Sequence, residues 1–338
     1  MEGKGVGNQL SRYGSISSVL PNVLGPQGKV FLVAQTTDSY FGDFQKEFPR
    51  DREGVDRVYS TIQTAINACV GGRGDVVLVA NGGMAAGATD PTSYAEVLTI
   101  AAGKSGISLI GIPNNRTQGG LPQVKPATTT SALLTIRSPG CYIANIGFNG
   151  VSSTGGGILL DDDASTKSAF GTTIENCHFK NCVGTTATNA ATGGAIQWSA
   201  NGGAWQVLIR NNRFYKNVGD IVLLGTSVSV PQDVVIENNV FSGPAANVDC
   251  NLYLAGGSGM NGVIIRNNDF TAIPAIVAGT NAKFMVLTGC IGLLSGNRFA
   301  SNGRTFGAAG NELVPTTVFL AANYQEKSTS GSGEIFRT

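Results

Sequence analysis

Three consecutive carboxylates, Asp161-Asp162-Asp163, form the one run of adjacent acids in the chain. Carboxyls do two kinds of work. A pair held across a glycosidic bond, about 5–10 Å apart, hydrolyses it. Clustered oxygens hold a hard cation such as calcium. Neighbours on a strand alternate faces, however, and this run leaves Ile158-Leu-Leu160 for Ala-Ser-Thr, so it reads as a solvated turn without the spacing either task needs. Glu175 and Glu237 are the other acids worth testing as catalytic groups. Arg210, Arg213, Arg266 and Arg298 supply cations of the kind a lyase uses as base. His178 is the single histidine, so neither a Ser-His-Asp set nor a histidine-rich zinc site has the residues it needs. Trp198 and Trp205 flank Gly202-Gly203, where they would stack on a sugar or, in the favoured reading, pack in a core or hairpin. Gly155–Gly157 lacks the helix and lysine of a phosphate loop. The six cysteines, Cys69, Cys141, Cys177, Cys182, Cys250 and Cys290, form no CxxC pair and read as reduced thiols packed inside the fold. No residue is therefore assigned as catalytic, cofactor-binding or metal-ligating, and no cofactor is expected.

The elements that carry these residues repeat. Ile143-Ala-Asn145-Ile-Gly-Phe148, Ile174-Glu-Asn176-Cys-His-Phe179, Ile209-Arg-Asn211-Asn212-Arg-Phe214, Ile236-Glu-Asn238-Asn239-Val-Phe241, Ile265-Arg-Asn267-Asn268-Asp-Phe270 and Leu294-Ser-Gly296-Asn297-Arg-Phe299 are copies of one pattern, with Phe-to-Phe spacings of 31, 35, 27, 29 and 29. A fixed period of this size marks a stacked-repeat architecture. Alternating apolar and polar residues argue for strands, and asparagine marks a bend because it tolerates left-handed backbone. Strand, bend and strand, with no helix in the period, is one coil of a parallel β-helix. The six Phe then stack internally, about 4.8 Å apart. Asn145, Asn176, Asn211, Asn238 and Asn267 are expected to form an amide ladder, with Gly296 ending it. One position earlier, Glu175, Arg210, Glu237 and Arg266 alternate in sign, which makes them outward-facing partners across coils. His178 shares its position with Arg213, Val240, Asp269 and Arg298, and reads as surface. Gly157–Leu160, Ala195–Trp198, Ile221–Leu224, Leu252–Leu254, Phe284–Leu287 and Val318–Ala321 fit a second sheet of the same coils.

Residues 1–29 are expected to be an extended arm, 30–74 an N-terminal capping region with a helix at about 61–70 behind Ser60 as N-cap, 75–324 the β-helix and 325–338 a tail. Strands are expected at Val30–Ala34, Asp75–Ala80, Ala95–Ile100 and Ile107–Ile112. A polar, Gly-rich arm becomes ordered only when something holds it, most simply a neighbouring subunit, with packing on its own chain as the alternative, and the same holds for the tail. Net charge is +1 and 13% of residues are charged, which gives no basic footprint for nucleic acid and leaves surface for neighbouring subunits to cover. No apolar run is long enough to span a bilayer. The start, Met1-Glu-Gly-Lys-Gly-Val-Gly, carries no secretory segment, so synthesis in a host cytoplasm is expected.

Val58-Tyr-Ser-Thr-Ile-Gln-Thr-Ala-Ile-Asn67, Gly74–Ala80, Gly106–Ile112 and the Asn/Phe coils together resemble the pectate-lyase-like right-handed β-helix superfamily, over about residues 55–323. Polygalacturonase-like members carry Asn-Thr-Asp, Asp-Asp, Gly-His-Gly and Arg-Ile-Lys motifs, and the last two are missing here. Lys29–Asp56 running into Val58-Tyr-Ser resembles a group of tailed-phage virion proteins. That resemblance implies a non-enzymatic head decoration or cement protein on the capsid surface, a homotrimer whose arm and tail contact the major capsid protein or other virion proteins. The alternatives are a carbohydrate-active tailspike and a receptor-binding fibre.

Overall fold

The computed structural model describes residues 28–82, 92–113, 120–150, 155–161, 169–183, 194–198, 205–224, 230–242, 250–255, 259–272, 283–301, 314–327 and 333–335. The arm expected over 1–29 lies almost wholly outside them.

Each repeat closes one turn of a parallel β-helix with three faces. Sheet one has eleven strands and holds the Ile side of the motif: Tyr142–Ala144, Thr173–Glu175, Leu208–Arg210, Val235–Glu237, Met260–Arg266 and Cys290–Ser295 lie side by side. Sheet two has nine and holds the Phe side, from Gln123–Val124 through His178–Lys180, Arg213–Tyr215 and Asp269–Ala272 to Asn323–Lys327. Sheet three has seven, from Leu98–Ile100 through Ile158–Leu160, Ile196–Trp198, Ile221–Leu224 and Cys250–Ala255 to Lys283–Val286. Register holds through the motif: Ile174 faces Ile143 and Ile209, and Phe179 faces Phe148 and Phe214. The six Phe rings stack nearly parallel, with successive centroids 5.2, 5.0, 4.9, 4.6 and 4.9 Å apart, all buried.

The amide ladder runs one residue further along than expected. Asn145, Asn176, Asn211, Asn238 and Asn267 occupy the bend itself, with φ between 52° and 58°. The ladder is Asn212, Asn239, Asn268, Asn297 and Asn323, all buried. The backbone N–H of each of the first four donates to the next side-chain Oδ1 at 2.9–3.1 Å. The Nδ2 of each of these four donates to the same oxygen, and all five Nδ2 groups donate to a carbonyl one coil back, that of Ile174, Ile209, Ile236, Ile265 or Leu294. Cys177 holds the position before Asn212, and its N–H donates to Asn212 Oδ1 at 2.9 Å. Gly296 ends nothing. Its φ of 64° is the conformation the bend demands, which glycine adopts without steric cost. Ala322 takes the same conformation one coil later, and the ladder passes from Asn297 to Asn323.

Val318–Ala321 belongs to sheet one, with Leu320 beside Leu294, and not to the sheet that holds Ile196–Trp198. It is the first strand of a seventh copy, Leu320-Ala-Ala-Asn-Tyr-Gln325, in which Gln325 sits beside Phe299. The tail folds back on its own chain over Gly333–Ile335, antiparallel to Asn323–Gln325, and covers the last strand of sheet two.

The expected helix is α2, Ile62–Ala68, after α1, Phe41–Glu47, which the sequence reading did not place. Its N-cap is Thr61, not Ser60, with the Thr61 hydroxyl accepting from Thr64 N–H at 3.3 Å. Ile62, Ala65 and Ile66 enter the coil core. Gln63 behaves like a missing strand: its Oε1 accepts from Thr99 N–H at 2.7 Å and its Nε2 donates to Thr99 C=O at 3.1 Å, closing the edge of Leu98–Ile100. Glu96 receives the free N–H groups of Ile62 and Gln63 at 2.8 and 2.9 Å. Sticky sheet edges are aggregation templates, and this one is occupied by a side-chain amide. On the outside of sheet one, Phe48 packs with Leu32, Val76, Leu78 and Ile110, while Phe44 of α1 covers Ala34 and Ala80. Hence every residue of Val76–Ala80 and Ser108–Ile112 is buried.

Candidate functional site

Glu175 and Glu237 point out from sheet one and are engaged. Arg210 Nη2 donates to Glu175 Oε2 at 2.8 Å, and Tyr142 Oη donates to the same oxygen at 3.0 Å. Arg266 grips Glu237 through Nε at 2.7 Å and Nη2 at 2.6 Å. Register makes them direct neighbours, Glu175 beside Arg210, Arg210 beside Glu237, Glu237 beside Arg266. The alternation in sign is a column of ion pairs along the axis. The guanidiniums shelter both carboxylates to 12% side-chain exposure. A carboxylate held this way has its oxygens taken up as hydrogen-bond acceptors.

Asp161 pairs with Arg137 at 2.8 Å. Asp162 and Asp163 lie outside the described residues, as do Gly202 and Gly203. Among the described residues no cluster of His, Cys, Asp and Glu is placed to hold a metal. Trp198 and Trp205 form no shared platform. Trp198 is a buried core residue beside Leu160, while Trp205 is exposed and donates its indole N–H to Val230 C=O at 3.0 Å. Arg298 bridges Asp269 at 3.1 Å and Glu326 at 3.8 Å.

His178 departs from the expectation. Its row faces outward on sheet two, between Gly147 and Arg213, yet it is only 8% exposed. Burial, then the neighbouring Arg213 charge, pushes its pKa down to about 4, so the ring is neutral at pH 7. Its Nδ1 is buried without a hydrogen-bond partner.

Asp220 carries a signal the sequence reading missed. It is 2% exposed and accepts from Asn217 Nδ2 at 2.9 Å and Asn251 Nδ2 at 2.6 Å. Burial raises its pKa to about 7 against the pull of these two amides. It belongs to a second buried polar corner, where Cys182 N–H donates to Asn217 Oδ1 at 2.9 Å. Cys182 and Asn217 both fall three residues after a motif Phe, and that spacing could have revealed the corner. Cys69, Cys141, Cys177, Cys182 and Cys290 are free and buried, with burial pushing each thiol up to about 12. These are packing residues, far from the thiolate state that attacks or ligates.

Among the described residues no helix is long and apolar enough to cross a membrane. No family model and no curated protein matches the chain.

Proposed function

We propose that the chain is a non-enzymatic structural protein of a phage particle, a decoration or cement protein on the capsid surface that acts as a trimer and bridges neighbouring subunits. The observation that carries this reading is how the polar side chains of the coil are spent. Glu175 and Glu237, the acids a glycan-cleaving enzyme would turn on a substrate, are tied to Arg210 and Arg266, and the buried amides are tied to one another along the axis. What results is a stiff prism whose use is mechanical. The resemblance of Lys29–Asp56 to virion proteins supplies the setting. Such a protein would stabilise a shell through apolar contact and through avidity over many copies.

The test is mass spectrometry and immunogold labelling of purified particles, followed by heating of particles that lack the protein. Label on the head, with earlier loss of genome from depleted particles, is the expected result. Label on the tail, or reducing-sugar or unsaturated-uronate release from glycans by the purified chain, overturns it. One observation favours a second reading. Phe319 and Tyr324 are 69% and 50% exposed at the C-terminal end of the prism, which suits a receptor-binding fibre with its aromatics at the distal tip. Label at the tail tip and binding to host cells lost on Phe319→Ser would select that reading.

A further inference from the structure

Sheet one and sheet two treat their charges differently. On sheet one each of Arg210 and Arg266 has its carboxylate. On the N-terminal half of sheet two, Lys125, Lys180, Arg213 and Lys216 have no acidic partner among the described residues, and none of the residues interleaved with them is an acid. The strand register gathers them. Lys180 lies beside Tyr215 on the next coil, and His178 beside Arg213. Lys125 follows Val124, which faces Phe148, and Lys180 follows Phe179, which faces the same Phe148. Lys216 holds its ammonium 5.2 Å from the Tyr215 ring centroid. Lys125, Arg213 and Lys216 are exposed. In the middle lies the unpartnered, buried Nδ1 of His178.

The patch is bounded. On its C-terminal side the next coil offers Val240 and Ser242, and beyond it Asp269 reverses the sign and pairs with Arg298. From Lys125 to Tyr215 is three coil steps, about 14 Å, and one strand face is about 7 Å wide. An area of that size seats a few carboxylates. A long polyanion would need the cations to continue along the axis, and the overall charge of +1 gives it no attracting field.

We propose that this face of sheet two is a docking site for a short, extended acidic segment of a partner protein, whose carboxylates meet Lys125, Lys180, Arg213 and Lys216 while its backbone lies over Tyr215 and His178. The site rests on the particle reading, since it names the chemistry of the neighbour that the prism would grip. Complementary charge sets register and speeds encounter more than it adds affinity, which suits a contact repeated over many copies.

The experiment uses the full chain and a fluorescent peptide of alternating Glu and Gly, about ten residues long, at about 50 mM salt, where exposed charges still act over a coil or two. A Gln/Gly peptide, an oligothymidylate and an oligogalacturonate are the comparison probes. Lys180→Glu is expected to weaken binding of the acidic peptide about three- to tenfold, the scale of one exposed ion pair lost and a repulsion gained. Lys46→Glu, the same charge change on exposed α1, should leave binding unchanged. His178 is the only histidine, so a single imidazole signal in the NMR spectrum reports the site, and it should move with the acidic peptide in wild type and less in Lys180→Glu. Equal weakening by both variants, a still imidazole, or tighter binding of either other polyanion overturns the inference. Particle labelling separates the two claims. A protein found on the head that ignores the peptide sinks the site alone, and peptide binding by a protein missing from the particle sinks the particle reading alone.

Discussion

Asn238 and Asn239 are adjacent and chemically identical, and replacing each should do different things. Asn239→Leu strips the Oδ1 that accepts from Asn212 N–H and Nδ2 and the Nδ2 that serves Ile209 C=O and Asn268 Oδ1. Orphaning buried groups costs about 1–3 kcal/mol apiece, so a loss of about 3 kcal/mol is expected in urea unfolding. Asn238 stands at φ 57° with its side chain outside the ladder. Asn238→Ala should cost only about 1 kcal/mol, the left-handed penalty, and Asn238→Gly should recover most of that by removing the Cβ penalty. Equal losses at the two sites would refute the register. The ladder lies one residue beyond the asparagine that the repeat pattern makes most conspicuous. Asn145 and Asn176 appear singly, at the bend, because the left-handed requirement applies in every coil. The ladder position holds Ile146 and Cys177 in those coils, so its amides begin only at Asn212. The Phe column was legible because no second Phe competed for it. His178 and Asp220 give opposed pH slopes. His178 drops from 6.5 to about 4, so the native state binds fewer protons than the unfolded chain and stability falls as pH drops through that window. Asp220 rises from 3.8 to about 7, so the native state binds more, and stability falls as pH rises from about 4 to 7. His178→Gln should therefore be more stable in acid, relative to wild type, than at pH 7. Asp220→Asn should gain relative to wild type on going from pH 4 to pH 7. Parallel profiles for wild type and variants would contradict both assignments.

At the scale of elements, the ends of the prism were harder to read than its middle, because an end has no neighbouring copy to set its register. Val318–Ala321 reads as a strand of the wrong sheet because the copy it opens has Gln325 where the others have Phe. The helix α1 lies in Asp38–Gly54, where Phe41, Phe44 and Phe48 fall at i, i+3 and i+7, a helical spacing the sequence reading did not use, and Phe44 and Phe48 of the three are buried. The helix α2 was legible from Ile62, Ala65 and Ile66, but its polar contacts were not, since Glu96 and Thr99 are more than thirty residues away. Those contacts make a prediction. Gln63→Met keeps the helix and the stem of the side chain but leaves the Thr99 N–H and C=O without partners at the edge of sheet three. A loss of about 2 kcal/mol is expected. Hydrogen exchange should speed first at Leu98–Ile100 and only later in the coils beyond it. Exchange that speeds uniformly would mean that the edge is not separately closed.

The whole molecule is a one-dimensional stack, in which each coil meets only the coils beside it. Its two ends are finished differently. At the N-terminal end α2 and the layer holding Phe44 and Phe48 cover the first coils. At the other, Gly333–Ile335 covers sheet two, while Val318–Ala321 is the outermost described strand of sheet one and carries the exposed Phe319. Local opening draws on the least covered region first, so the prism should fray from its C-terminal end. The buried thiols lie along the axis like marks on a ruler, with Cys69 at the capped end, Cys141, Cys177 and Cys182 between, and Cys290 near the open one. Each is protected by burial and by a thiol pKa of about 12, so each should resist alkylation until its own coil opens. In a Cys250→Ser background, brief iodoacetamide pulses through a urea series, read by peptide mass spectrometry, should label Cys290 at lower urea than Cys177 and Cys182. Cys69 should be labelled no earlier than those central two. Simultaneous labelling of all five would show a prism that opens as one cooperative unit. Labelling that starts at Cys69 would show that the helical cap, and not the bare sheet edge, is the weaker end.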